Sequence, residues 1–163
     1  MNKIFKLSGA VVLAATLAAC GGGNSDDPSP SEQTGILTVT NASIDGVNGI
    51  YGNGALNLTD VEKKNPVGSD PEVCTFKFDG ANRVGADGTA YGDVRYRPDA
   101  TTLYVIFLTV NGVEYSSGQP DNSAVVRDSD RIRLSAKSLT AGNGSTIRVS
   151  GVIPMRPSRP TGC

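Results

Sequence analysis

The chain has 163 residues, with 15 basic and 16 acidic side chains, 20 glycines, three cysteines, no tryptophan and no histidine. Without histidine there is no Ser–His or Cys–His nucleophile pair, no imidazole general base and no histidine ligand for zinc. A net charge of −1, with no recognition motif, speaks against nucleic acid as a partner.

Lys3 and Lys6 precede an apolar run from Leu7 to Ala19, broken only by Ser8, Gly9 and Thr16. A membrane-crossing helix needs about 20 apolar residues, so this run reads as a secretion signal instead. It ends in Leu17-Ala18-Ala19-Cys20, followed directly by Gly21-Gly22-Gly23. These four residues resemble the lipobox of bacterial lipoproteins, in which a leucine and two small residues precede the cysteine that is acylated and becomes the first residue of the mature chain. The resemblance is confined to this first segment. It implies a covalent lipid on Cys20 and membrane attachment through it. Because Gly21 rather than Asp follows the cysteine, it also implies an outer-membrane position facing the periplasm. The organisation expected is a signal peptide at 1–19, a lipidated cysteine and flexible tether at 20–34, and a β domain with an extended C-terminal tail at 35–163. The tether has no apolar residue from Gly21 to Thr34 and cannot bury anything.

From Ile36 onward the pattern is that of short strands separated by Gly- and Asp-rich turns. Ile36–Ala42 is β-branched and reads as a strand, and the glycines of Asp45–Gly54 as a loop. Ala55–Thr59 and Cys74–Asp79 alternate apolar and polar residues, with a Pro-containing loop at Asn65–Pro71 between them. The second of these strands aims Cys74, Phe76 and Phe78 inward. After a further Gly/Asp loop, Thr89–Arg97 forms a strand. Thr102–Val110 is the most apolar run beyond the signal and reads as a central strand covered on both faces. Asn111-Gly112 supplies a type I′ hairpin turn into Val113–Ser116. Arg131–Lys137 alternates strictly, Gly142-Asn143-Gly144 turns it, and Thr146–Ile153 returns. Pro154, Pro157 and Pro160 then end regular pairing. About eight strands and no helix after the signal predict an all-β domain, a single antiparallel sandwich, with a small up-and-down barrel as the alternative.

With Cys20 acylated, Cys74 and Cys163 are an even pair in an oxidising compartment and are expected to form a disulfide. Charge is unevenly spread. Gly35–Asn122 carries six basic and eleven acidic residues, whereas Ser123–Cys163 carries seven basic and two acidic. In the expected hairpin Ser135 opposes Arg148, so Arg131, Arg133, Lys137 and Arg148 share one outward face. Four cations there would suit phosphates of lipopolysaccharide, anionic headgroups or an acidic protein, against the plainer reading of a solvated, edge-protecting face. Two loops offer oxygen ligands for calcium, one with Asp45, Asn48 and Asn53, the other with Asp79, Asn82 and Asp87. Neither has EF-hand spacing, and these residue types are also what tight turns require, so no cofactor beyond the lipid is expected.

The function that follows is a lipid-anchored cell-envelope protein whose β domain binds or scaffolds rather than catalyses. The alternative is a hydrolase of envelope glycans working through paired carboxylates. Replacing Cys20 by Ala removes the acyl acceptor. The expected result is that the variant incorporates no fatty-acid analogue in labelled cells and is lost from the membrane fraction; label equal to the parent would overturn the anchor.

Overall fold

A computed structural model describes residues 36–52 and 56–163. The signal, Cys20, the tether, Asn53 and Ala55 lie outside the described residues. The described part is all-β and antiparallel: β1 (Ile36–Thr40), β2 (Gly49–Tyr51), β3 (Asn57–Leu58), β4 (Glu62–Lys64), β5 (Val73–Asn82), β6 (Thr89–Tyr96), β7 (Val105–Val110), β8 (Val113–Ser117), β9 (Ser123–Val126), β10 (Arg131–Ala141) and β11 (Thr146–Pro154). A 3-10 turn, Arg127–Ser129, links β9 to β10.

The strands form one curled sheet, in the order β2-β1-β11-β10-β8-β7-β6-β5-β3, with β4 beside β5 and β9 beside β10. The sheet is a half-barrel around a single core, in place of the two facing sheets expected. Its apolar residues alternate onto the concave side, where Tyr51, Phe76, Tyr96, Ile106, Leu108, Tyr115, Ile132 and Val149 are at most 1% exposed. One end of the strand path, β2, also touches the chain that leaves β5. Gly52 N–H donates to the Asn82 carbonyl at 2.9 Å, and Val84 N–H to the Ile50 carbonyl at 2.8 Å, so β2 is stitched to the chain leaving β5.

Three strands lie where none was expected. β2 forms inside the Gly-rich loop, and the polar β4 pairs with β5 through Lys63 opposite Cys74. β9 precedes β10 and pairs with its first half. The expected hairpin at Asn111-Gly112 is present, with φ of 49° and 82° at the two residues. The run Thr102–Val110 is a strand only from Val105, and its outward Val105 and Phe107 are half-buried rather than covered.

Bulges set which side chains face the core. Phe78 opposes Gly92 and Ala81 opposes Ala90, so Asp79 and Gly80 together face only Tyr91. The extra residue keeps Ala81 inward, and Gly80 takes the positive φ of 81° that such a bulge needs. A second bulge lies in β10, where Leu134 opposes Gly151 and Lys137 opposes Val149.

The C-terminal tail crosses one end of the half-barrel and is fixed there. Cys163 is bonded to Cys74 of β5, with 5.6 Å between their Cα atoms. Tyr96 O–H donates to the Cys163 carbonyl at 3.0 Å. The Arg127 guanidinium donates to the carbonyls of Cys163, Gly162 and Ala100 at 3.1, 3.1 and 2.7 Å. The same guanidinium stacks 5.5 Å over the Tyr96 ring. Burial of that hydroxyl pushes the Tyr96 pKa up, against the opposing influence of Arg159 and Arg127. Replacing Cys163 by Ser opens a covalent loop whose ends are 89 residues apart. The chain-entropy expectation is a loss of up to about 4–5 kcal/mol, read as a lower urea midpoint. A midpoint equal to the parent's would show that the tail holds without its bond.

Candidate functional site

The face predicted from the sequence is present only in part. Up to Leu134 the alternation of β10 is as expected, with Ile132 and Leu134 inward and Arg131 and Arg133 exposed. Ser135 and Ala136 then bulge together opposite Ser150. Ala136 has φ of 51°, a conformation rare outside Gly, Asn and Asp, and its N–H donates to the Ser150 hydroxyl at 2.9 Å. One inserted residue reverses the parity of everything after it. Lys137 therefore points inward and is 1% exposed, and it does not belong to the basic face. Arg148 opposes Ser138, not Ser135.

The buried Lys137 has its own partners. β10 pairs with β9 along its first half but with β8 only at Thr140 and Ala141, leaving a gap beside the bulge. The loop from Gly118 to Asn122 fills it. Lys137 Nζ donates to the Gln119 carbonyl and, at 2.7 Å, to the Asp121 carbonyl, with the Asp121 carboxylate 3.6 Å away. Burial lowers the Lys137 pKa, and Asp121 partly offsets this. The ammonium thus supplies donors that the strand ladder does not.

What remains is Arg131, Arg133 and Arg148, all exposed. Among the described residues none of the three is within ion-pairing distance of a carboxylate. None of β1, β9, β10 and β11 contains an Asp or Glu. Arg133 opposes Val152, four residues along β11 from Arg148, or roughly 13 Å at strand rise. That spacing is too wide to clamp one phosphate between all three and suits a charged surface. Ile36, next to Val152 and 53% exposed, adds an apolar residue to the same face.

Of the calcium candidates, Asn48 Oδ1 accepts from the Ala42 N–H at 2.9 Å and Asp79 accepts from Asn57 Nδ2 at 2.6 Å. Asn53 lies outside the described residues. Among the described residues no three acidic or cysteine side chains converge as a metal site.

A second feature, not foreseen from the residue pattern, is a cleft of about 520 Å³ on the outer face of β5 to β8. It is built from outward positions brought side by side by register. Lys77 lies beside Asp93, Asp93 beside Phe107, Tyr91 beside Thr109, and Thr109 beside Glu114. Residues Asn57–Thr59 form one rim. Asp93 accepts from Arg95 Nη2 at 2.8 Å and from the Thr75 hydroxyl at 2.8 Å, and Arg95 in turn stacks 5.0 Å over Phe107. Two of the three carboxylates in the cleft, Asp79 and Asp93, are therefore engaged by neighbours. No protein-family model, curated protein or solved structure matches this chain.

Replacing Lys137 by Met removes the donor from the Gln119 and Asp121 carbonyls of an exposed loop. A loss of roughly 1.5–3 kcal/mol in urea unfolding is expected, the range for hydrogen bonds made by a charged group. A variant as stable as the parent would show that water replaces the ammonium at no cost.

Proposed function

We propose that this is a lipid-anchored cell-envelope protein whose β domain binds rather than catalyses, and that the face of Arg131, Arg133 and Arg148 engages an anionic surface of the envelope. The observation that carries the reading is segregation of charge. Four strands, β1, β9, β10 and β11, hold three exposed arginines and no carboxylate. The carboxylates Asp79, Asp93 and Glu114 lie instead along β5 to β8. Guanidinium groups bind phosphates well because their planar forks match the oxyanion geometry. The lipobox-like segment supports attachment, and Ile36, where the domain begins, lies on the same face as the arginines.

The test is flotation of the chain carrying Cys20→Ala, so that no lipid contributes, with phosphatidylglycerol or phosphatidylcholine vesicles. Binding is expected to the anionic vesicles only and to weaken as salt rises, because exposed charges act over about 8 Å at physiological ionic strength. Arg131→Ser, Arg133→Ser and Arg148→Ser combined should abolish it. Each exposed substitution should change stability by less than about 0.5 kcal/mol. Salt-independent binding, or a triple variant that floats like the parent, would rule the face out.

A further inference from the structure

We infer that the cleft on the outer face of β5 to β8 is a binding site for a neutral carbohydrate. This goes beyond the anionic-surface reading and rests on different residues. Tyr91, 48% exposed, offers a ring in the cleft. The face of an aromatic ring is electron-rich, and the C–H groups on one side of a sugar ring pack against such a face.

The hydrogen-bonding groups around Tyr91 are fixed in advance. Asp93 is held by Arg95 and Thr75, and Asp79 by Asn57 at 2.6 Å. Acceptors already ordered lose little entropy when a hydroxyl-rich ligand arrives. Thr109 sits between Tyr91 and Glu114 in the register and is only 7% exposed. As a polar residue lining the cleft, Thr109 offers its hydroxyl to a ligand there. A sugar hydroxyl in the cleft would pair with it.

Charge and pairing favour this ligand over the other polymers of an envelope. The cleft has two cations, Lys77 and Arg95, against three carboxylates, and Arg95 is already engaged by Asp93 and Phe107. An anionic chain would find no free cationic cluster. An extended peptide would find no backbone ladder to extend, because β5, β6 and β7 are each paired along both edges. The volume, about 520 Å³, falls within the range of roughly 300–1,000 Å³ usual for small-ligand sites.

The experiment is calorimetric titration of the purified full chain with cellotetraose, chitotetraose and maltotetraose, at a salt concentration high enough to silence the arginine face. Saturable binding of at least one sugar is expected. Tyr91→Ala should weaken it by about tenfold or more, the usual effect of truncating a central aromatic anchor. Thr109→Val keeps the shape of the side chain and should weaken it too, whereas Arg133→Ser with Arg148→Ser should bind like the parent. Thermal midpoints of the variants report that the fold is kept. Binding of none of the three sugars by the folded chain would overturn the proposal. So would undiminished binding by a folded Tyr91→Ala variant, or displacement of the sugar from the parent by an unrelated extended peptide. Vesicle flotation is unaffected by any of these results, so this proposal and the anionic-surface reading fail separately.

Discussion

A sheet that curls on itself has two edges, and each exposes a row of backbone groups that must be paired or covered. Much of this structure follows from that requirement. At one end the short β2 serves both purposes, pairing with β1 and also with the residues that leave β5. Arg83 supports the junction from its side chain, donating to the Asn48 carbonyl at 2.6 Å. Its guanidinium lies so close to Gly49 that an added Cβ would stand 2.7 Å from Nε. At the other end the tail takes over. Met155 N–H donates to the Asp130 carbonyl, and Arg156 Nε donates to the Leu58 carbonyl. These contacts carry the chain from β11 towards β3, across the end of the core. Proline suits this segment, since the tail crosses the strands and does not extend the ladder.

The sequence was informative wherever side-chain alternation ran unbroken, and misleading where one residue was inserted. RIRLSAK reads as a regular strand if taken alone. Continued to Ala141, it places Leu134 and Leu139 five residues apart, an odd spacing that a regular strand cannot bury on one face. That spacing was the available signal of a bulge and of the reversed orientation of Lys137. The bulge after Phe78 was similarly hinted at by Phe78 and Ala81, three residues apart around Gly80. β2 and β4 were not legible, for another reason. GIY and EKK have no apolar periodicity, and they become strands only because a neighbouring edge has free donors and acceptors. β9 shows the same effect beside β10.

The two surfaces differ in how far the chain betrays them. The arginines were visible because they recur at strand spacing in one hairpin. The cleft was not, because it joins residues from β5, β6, β7 and β8 that are far apart in sequence and become neighbours only through register. None of Lys77, Tyr91, Phe107 and Glu114 is unusual in its own strand. Gly92, which lines the cleft, is required there for a steric reason. A Cβ there would stand 2.5 Å from the Phe107 carbonyl and 2.9 Å from the Phe78 ring, so the close approach of three strands beneath the cleft depends on its absence.

The bond between Cys74 and Cys163 also divides the chain topologically. Residues 74–163 form a covalent ring that contains most of β5 and all of β6 to β11, and a single cut within it, at the exposed turn of Gly142–Gly144 for instance, leaves one connected molecule. β1 to β4 lie outside that ring and are joined to it by a single run of backbone and by pairing and packing. The loop 65–71, exposed along nearly its whole length, is the seam between the two parts. Proteolysis there breaks the backbone link between the segment bearing Cys20 and an intact ring that contains most of the cleft and all three arginines, leaving the pairing of β1 with β11 and of β3 and β4 with β5 to hold the two together. One cut in that loop thus leaves two pieces joined without a covalent bond, whereas one cut inside the ring leaves a single connected molecule.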